Sequence, residues 1–278
     1  MRRLSVLFSL MAALVVTGCS SQSEEVNVYS ARKEALIKPL LDRFTSETGI
    51  TVNLITGSAD ALVERMKAEG EHSPADVLIT TDAGRLYRAQ QEGQLATTES
   101  DTLAEQVPEA LRDPEGHWYG LSVRARVVVY APDRVDPSEL STYEALADEK
   151  WDDRICIRSS DNIYNQSLTA SLIAHNGEAD TEQWAEGLVS NMARDPVGGD
   201  RDQIKALAAG ECDIAVVNTY YLGMMQGGDN ADAREIAEQV AVFWSNQDGR
   251  GAHINISGAG VATNAPNPDN ARQLIEFL

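Results

Sequence analysis

Two tyrosines stand side by side in "VVNTYYLGM" (216–224), Tyr220 and Tyr221, directly after an apolar run. Adjacent residues of a strand point to opposite faces, so such a pair is hard to bury with both hydroxyls satisfied. A third tyrosine, Tyr164, follows a comparable run in "RICIRSSDNIYNQS" (154–167). Taken singly, each reads as a half-buried ring with its hydroxyl at the surface. Three at equivalent strand-to-helix turns read as a ligand set. Phenolate is a hard oxygen donor, and a trivalent cation can displace its proton although the free pKa is about 10. Magnesium and calcium prefer carboxylates and carbonyls, and softer metals prefer sulfur or imidazole. His72, His117, His175 and His253 are scattered, and no Cys-x-x-Cys or His-x-x-x-His spacing suggests zinc. Phenols without histidine or cysteine beside them point to ferric iron.

The elements that must position these residues alternate. "EVNVYS" (25–30) reads as a buried strand, and Leu36, Ile37, Leu40, Leu41 and Phe44 recur at helical spacing with Pro39 near the start. Gly49 stops that helix, and Ile50, Val52 and Leu54 alternate as the next strand. Ser58 opens a helix containing Leu62, Val63 and Met66, and "ADVLITT" (75–81) follows as a strand. This βαβαβ order predicts an α/β fold with a parallel sheet, whose ligands sit beyond the strands' carboxyl ends, around Tyr29–Arg32 and Thr80–Asp82. "YGLSVRARVVVYAP" (119–132) is long enough to pass from one lobe into another. The second half repeats the grammar, with a helix opening at Tyr164 and "CDIAVVN" delivering the tyrosine pair. Asp200 with Gln203 resembles a capping box before Ile204–Ala209, with Gly210 as terminator. "AHINISGAGVA" (252–262) alternates like a strand returning elsewhere. The chain stops at "ARQLIEFL", in mid-helix by its pattern, and the natural protein is expected to continue.

At this point a family becomes recognisable. From about Val26 onward the chain resembles the ferric-iron-binding solute receptors of bacterial ABC importers. The matching stretches are "VYSARKEALIKPLLDRF", "SPADVLITTDAGRL", "VRARVVVY", "NIYNQS", "GGDRDQIKALAAGECDIAVVNTYY" and "ISGAGV". The resemblance implies a two-lobed type II periplasmic-binding-protein fold closing over iron by hinge motion. It implies Tyr164, Tyr220 and Tyr221 as iron ligands, with Arg32 and Arg124 holding a synergistic anion such as carbonate. Other branches place His or His-Tyr near the position of Arg32 and Lys33, and this sequence has neither. Charge counting leads the same way independently. Three phenolates neutralise one ferric ion and leave coordination positions open. A bidentate carbonate would fill two, and planar guanidiniums suit its charge. An ordinary strand-end salt bridge is the other reading of Arg124. Tyr29, Asp82 and Asn218 read either as outer residues that hold the ligands in place or as plain turn and cap residues.

Composition sets the frame. At 278 residues the chain is longer than one core usually covers, and 43% of them are hydrophobic. The expected lobes are 26–123 with 252–278, and 124–251. A net charge of −20 argues against nucleic acid and fits a solubility or high-salt adaptation. Arg2 and Arg3 precede an apolar stretch, Leu4 to Val16, too short to span a bilayer, which ends in "VTGCS". Residues 1–18 are therefore expected to be a signal peptide, and Cys19 a lipidated residue opening a tether over 19–25. A plain signal peptide is the alternative. The mature protein is expected in the periplasm or at the outer face of the cytoplasmic membrane, as a monomer. Its expected partners are an importer permease and ferric iron or a ferric chelate.

Cys156 and Cys212 each sit eight residues before a tyrosine of the trio, on two strand-like runs. A disulfide between neighbouring strands and two buried free thiols are both open. A receptor for a small oxyanion, phosphonate or carboxylate, would use the same fold and arginines but would not need the tyrosines. No nucleophile elbow, carboxylate dyad or phosphate loop supports an enzyme. "GGDRDQ" (198–203) reads as a loop with a cap more simply than as an anion-binding turn.

Overall fold

The computed structural model describes residues 24–278; the expected signal segment and Cys19 lie outside the described residues. β1 (Glu25–Ser30), α1 (Glu34–Thr48), β2 (Thr51–Thr56), α2 (Ala59–Glu69) and β3 (Val77–Thr80) follow in the order the periodicity predicts. β1 pairs parallel with both β2 and β3. The punctuation works as read. Gly49 closes α1 in the left-handed region, φ 79°, and the Ser58 hydroxyl accepts from Ala61 N at the start of α2.

After α3 (Ala83–Gln91) and α4 (Asp101–Gln106), the twelve-residue β4 (Tyr119–Tyr130) joins two halves of the molecule. Its first part, Tyr119–Ala125, pairs antiparallel with β8 (Ile254–Val261), which also pairs with β3. Its second part, Arg126–Tyr130, pairs antiparallel with β6 (Ile214–Asn218), which pairs parallel with β5 (Ile155–Cys156). β7 (Ala241–Phe243) adds to the same part of β4. The chain returns beside this crossing: Arg126 N donates to His253 O, and the Tyr143 hydroxyl donates to Arg126 O while accepting from His253 N.

Helices cover both faces of both sheets. Val28, Val77 and Ile79 pack with Ile37, Leu41 and Phe44 of α1, and with Leu274 of α10 (Pro268–Phe277). The alternate residues Tyr29 and Leu78 pack on Leu62, Val63 and Met66 of α2. In the second half, Val128, Ile214 and Val216 face Leu168 and Leu172 of α5 (Ile163–Asn176) and Trp184 of α6 (Glu178–Ser190). Val127, Val129, Ala215 and Val217 face Ile204 and Leu207 of α7 (Asp200–Ala208), Leu222 of α8 (Thr219–Gly227) and Ala237 of α9 (Ala231–Glu238). Each buried Val or Leu side chain contributes about 1.5–3 kcal/mol, so two full cores stabilise two lobes. Cys156 and Cys212 are joined as a disulfide with Cα atoms 5.9 Å apart, which decides between the two readings of the pair. Among the described residues no helix is long and apolar enough to cross a membrane.

Candidate metal centre

β6 ends at Asn218, still extended at φ −81° and ψ 138°, and helix α8 begins at Thr219. Tyr220 and Tyr221 are therefore the second and third residues of a helix, not the last residues of a strand. A helix turns about 100° per residue, so neighbouring side chains need not diverge as they do in a strand. The two rings lie 4.2 Å apart between centroids, tilted by 32°. Tyr164 holds the matching place as the second residue of α5, where the Asn162 side chain accepts from its backbone N–H at 3.0 Å. The Tyr220 hydroxyl donates to the Tyr164 hydroxyl at 3.1 Å. The structure thus brings the trio together, at the N-terminal turns of two helices, whose free N–H groups favour negative charge.

Without a cation these phenols resist ionisation. Burial pushes the Tyr220 hydroxyl well above the ordinary value, and its bonds with Tyr164 and Tyr221 add to the shift. Burial raises Tyr221 as well. A proton leaves such a group only when a stronger Lewis acid takes its place. Among the described residues no three His, Cys, Asp or Glu side chains converge on a possible metal position, so a hard cation would have to rely on the phenols.

Guanidiniums surround the cluster. Arg124 lies 5.1 Å from the Tyr164 ring centre and Arg158 lies 5.6 Å from it. Arg124 donates to Ile256 O at 2.7 Å and Thr81 O at 2.5 Å, and stands 3.6 Å from Asp82. Burial lowers its pKa, and the Arg32 charge acts in the same direction, which places the two arginines within electrostatic reach of each other. Arg32 donates to Ser257 Oγ at 2.7 Å and to Ser122 Oγ at 3.3 Å. Asp82 both caps α3 and crosses between lobes. Its Oδ1 accepts from Gly84 N, while Oδ2 accepts from Ser167 at 2.7 Å and Asn255 at 2.8 Å. Ser167 lies one turn along α5 from Tyr164, so Asp82 helps to fix the helix that carries that phenol.

Asn218 supports the pair through its backbone: its N–H donates to Asp200 Oδ2 at 2.7 Å. Tyr29 does not join the cluster. It is fully buried against α2, its hydroxyl donates to the Glu69 carboxylate at 3.0 Å, and Arg65 lies over its ring. That placement removes it from the candidate outer residues, because strand alternation turns it toward α2.

The sequence reading missed the hub behind the trio. Arg126 is 2% exposed, donates to Asp200 at 2.8 Å and to Asn218 at 3.3 Å, and binds the Asn165 side-chain oxygen at 2.5 Å. Asp200, fully buried, also accepts from Arg158 at 3.1 Å. It is the first residue of α7, whose N-cap is Gly199, and the Asp202 carboxylate accepts from Gly199 N. Asp200 is thus an ion-pair partner, not the capping residue expected. The available signal was an arginine directly before the apolar run "VVVY" (127–130) of β4, which demands a buried carboxylate somewhere.

A family model for bacterial extracellular solute-binding proteins matches residues 72–278. Iron uptake protein A1 of Synechocystis is 51% identical over 257 residues, 92% of this chain and 71% of its own length. The structure of Trichodesmium IdiA (FutA) in complex with iron and citrate matches at TM-score 0.86 and 51% identity, over 91% of this chain and 80% of that one. A ferric binding protein from Campylobacter jejuni matches at TM-score 0.86 and 38% identity, over 91% and 80% of the two chains. The architecture they share with this chain is the two-lobed type II periplasmic-binding-protein fold.

Proposed function

The chain belongs to the bacterial extracellular solute-binding protein family, which is one of binding proteins and not of enzymes, and we propose that it is the extracytoplasmic receptor of an ABC importer for ferric iron. The observation that carries this reading is the phenol trio, with Tyr220 bonded to Tyr164 and stacked on Tyr221. The names of the similar proteins, an iron uptake protein and a ferric binding protein, support it. Tyr164, Tyr220 and Tyr221 supply three phenolates to the ferric ion. Arg124 stands against Asp82, Arg126 and Arg158 pair with Asp200, and Arg32, held by the Ser257 hydroxyl rather than by a carboxylate, adds a fourth guanidinium. This positive surplus offsets only part of the burial that holds the phenols protonated, and it gives an accompanying anion a place beside Arg32 and Arg124. Carbonate fits that role by charge, and the presence of citrate, another carboxylate, with iron in the Trichodesmium complex supports an accompanying anion. An oxyanion receptor would gain nothing from three half-buried phenols gathered at one point.

In this reading the lobes, 26–123 with 252–278 and 124–251, close about the paired crossings of β4 and the segment entering β8. Cys19 carries the lipid that holds the receptor near its permease, and the receptor works as a monomer. Ferric titration of the purified protein tests the core of the proposal. Phenolate-to-iron charge transfer should produce a visible band, which Tyr164→Phe, Tyr220→Phe and Tyr221→Phe should each weaken or shift. Loss of a charged ligand should cost several kcal/mol, against about 1 kcal/mol for an ordinary hydrogen bond. Tyr119→Phe should leave the band alone, since that hydroxyl is spent on Thr98 O. A colourless titration would refute the proposal.

A further inference from the structure

The two lobes meet through more than their crossing strands. Ser167, in α5 of the second lobe, donates its hydroxyl at 2.7 Å to Asp82 Oδ2, the cap of α3 in the first. Bonds on the crossing itself are of another kind. Arg124 lies where β4 still pairs with β8, opposite Asn255, so its bonds to Thr81 O and Ile256 O travel with the first lobe. The Tyr143 hydroxyl meets His253 N beside the same crossing. α3 and α5 have no such common strand, and parting the lobes separates them. The Ser167–Asp82 bond therefore belongs to the closed form.

Its acceptor is built by the first lobe alone. Asp82 Oδ1 accepts from Gly84 N at 2.9 Å, and Oδ2 accepts from Asn255 Nδ2 at 2.8 Å. Asn255 is fixed in turn, its Oδ1 accepting from Ala83 N at 3.0 Å and Ile256 N at 2.8 Å. The carboxylate thus waits in one position for a donor from across the cleft. On opening it keeps these partners, and water replaces the serine. The half-buried Ser167 hydroxyl is hydrated in the same way. Nothing is left buried and unpaired, so opening costs the net worth of one hydrogen bond to a charged group. Such a bond shifts an equilibrium by about 10- to 150-fold. Ser167 also stands three residues after Tyr164, a spacing that puts both on one side of α5. Making the bond and bringing the Tyr164 phenol to the cleft are one movement of one helix.

We propose that Ser167 is a positioning residue for closure, its bond to Asp82 latching the lobes together. Neither partner belongs to the phenol trio, so the latch forms with or without iron and sets how long the cleft stays shut. The inference rests on the closing motion of two lobes proposed above.

Ser167→Ala removes the hydroxyl and Ser167→Thr keeps one, and the pair tests the latch. In solution scattering of the iron-free protein, Ser167→Ala should show a larger radius of gyration than the parent, and Ser167→Thr should match the parent. Transfer of iron from the loaded protein to a competing chelator should run about 10- to 150-fold faster in Ser167→Ala, with the visible band at an unchanged wavelength. Equal scattering for Ser167→Ala and the parent overturns the latch, as does an unchanged release rate. A shifted band in Ser167→Ala overturns it too, because the serine would then set the geometry of Tyr164 and not closure. So does a threonine variant that behaves like the alanine one. The scattering comparison uses no iron, so a parent without a ferric band refutes the iron proposal and leaves this test in force.

Discussion

Asp200→Asn isolates the hub that holds the tyrosine turns together. The Asp200 carboxylate accepts from Arg126 at 2.8 Å, Arg158 at 3.1 Å and Asn218 N at 2.7 Å. An amide of the same shape keeps one acceptor oxygen and turns two N–H groups toward groups that themselves donate. It also leaves the Arg126 guanidinium, 1% exposed in its side chain, without a countercharge. Breaking a buried pair from one side costs about 3–5 kcal/mol, because the remaining charge stays desolvated. For a protein of this size each kcal/mol lowers Tm by about 2–4 °C, so the iron-free variant should melt roughly 6–20 °C below the parent. Differential scanning calorimetry reads this directly. Adding Arg126→Met should recover part of the loss, and the double-mutant cycle then gives the coupling. A single variant melting within about 2 °C of the parent would refute the reasoning, since only a solvated or uncharged pair behaves so.

Four further outcomes follow from the same geometry. Reducing the Cys156–Cys212 bond, or replacing both cysteines by Ala, should cost about 4 kcal/mol by loop entropy for a separation of 56 residues, read as a lower Tm with reductant present. Ferric affinity should fall as pH falls, by up to about tenfold per unit for each phenol proton displaced, because Tyr220 and Tyr221 stay protonated through neutral pH in the free protein; a pH-independent affinity would mean that the phenols are not ligands. Glu144 is held down to about 2 although burial works the other way, because Asn246, Asn176 and Arg250 donate to it. Its folded value is below its ordinary 4.5, so its stabilisation is full above pH 4.5 and is lost as pH falls toward 2; acid melting of Glu144→Gln should be flatter across that window. Stripping carbonate at constant pH should weaken iron binding, and Arg32→Ala should blunt that dependence; an affinity indifferent to carbonate would leave Arg32 with only its serine partners.

What the sequence made legible was residue type and punctuation. Gly49, Ser58 and the apolar periods mark α1, β2 and α2 because caps and burial act locally. The length of "YGLSVRARVVVY" announced a strand with two duties, and β4 divides its pairing between β8 and β6 at Ala125–Arg126. The tyrosine trio stood out because two adjacent phenols make poor sense in a strand, and the helix beginning at Thr219 resolves that conflict. Faces were harder. Tyr29 sits at the correct end of its strand, but both faces of this sheet are covered by helices, so alternation alone could not say which face carries a site. The equal spacing of Cys156 and Cys212 before their tyrosines becomes a bond only because β5 and β6 are parallel neighbours, a fact of pairing and not of either run. The hub was least legible of all. Arg126 and Asp200 are 74 residues apart, and each has a sound local reading, one as a strand residue and the other as a helix cap. Only the fold sets them against each other, and it does so beside Asn165 and Asn218, the residues next to Tyr164 and two before Tyr220. The candidate ligands were thus legible in local sequence, while their position is set by a charge pair that local sequence does not reveal.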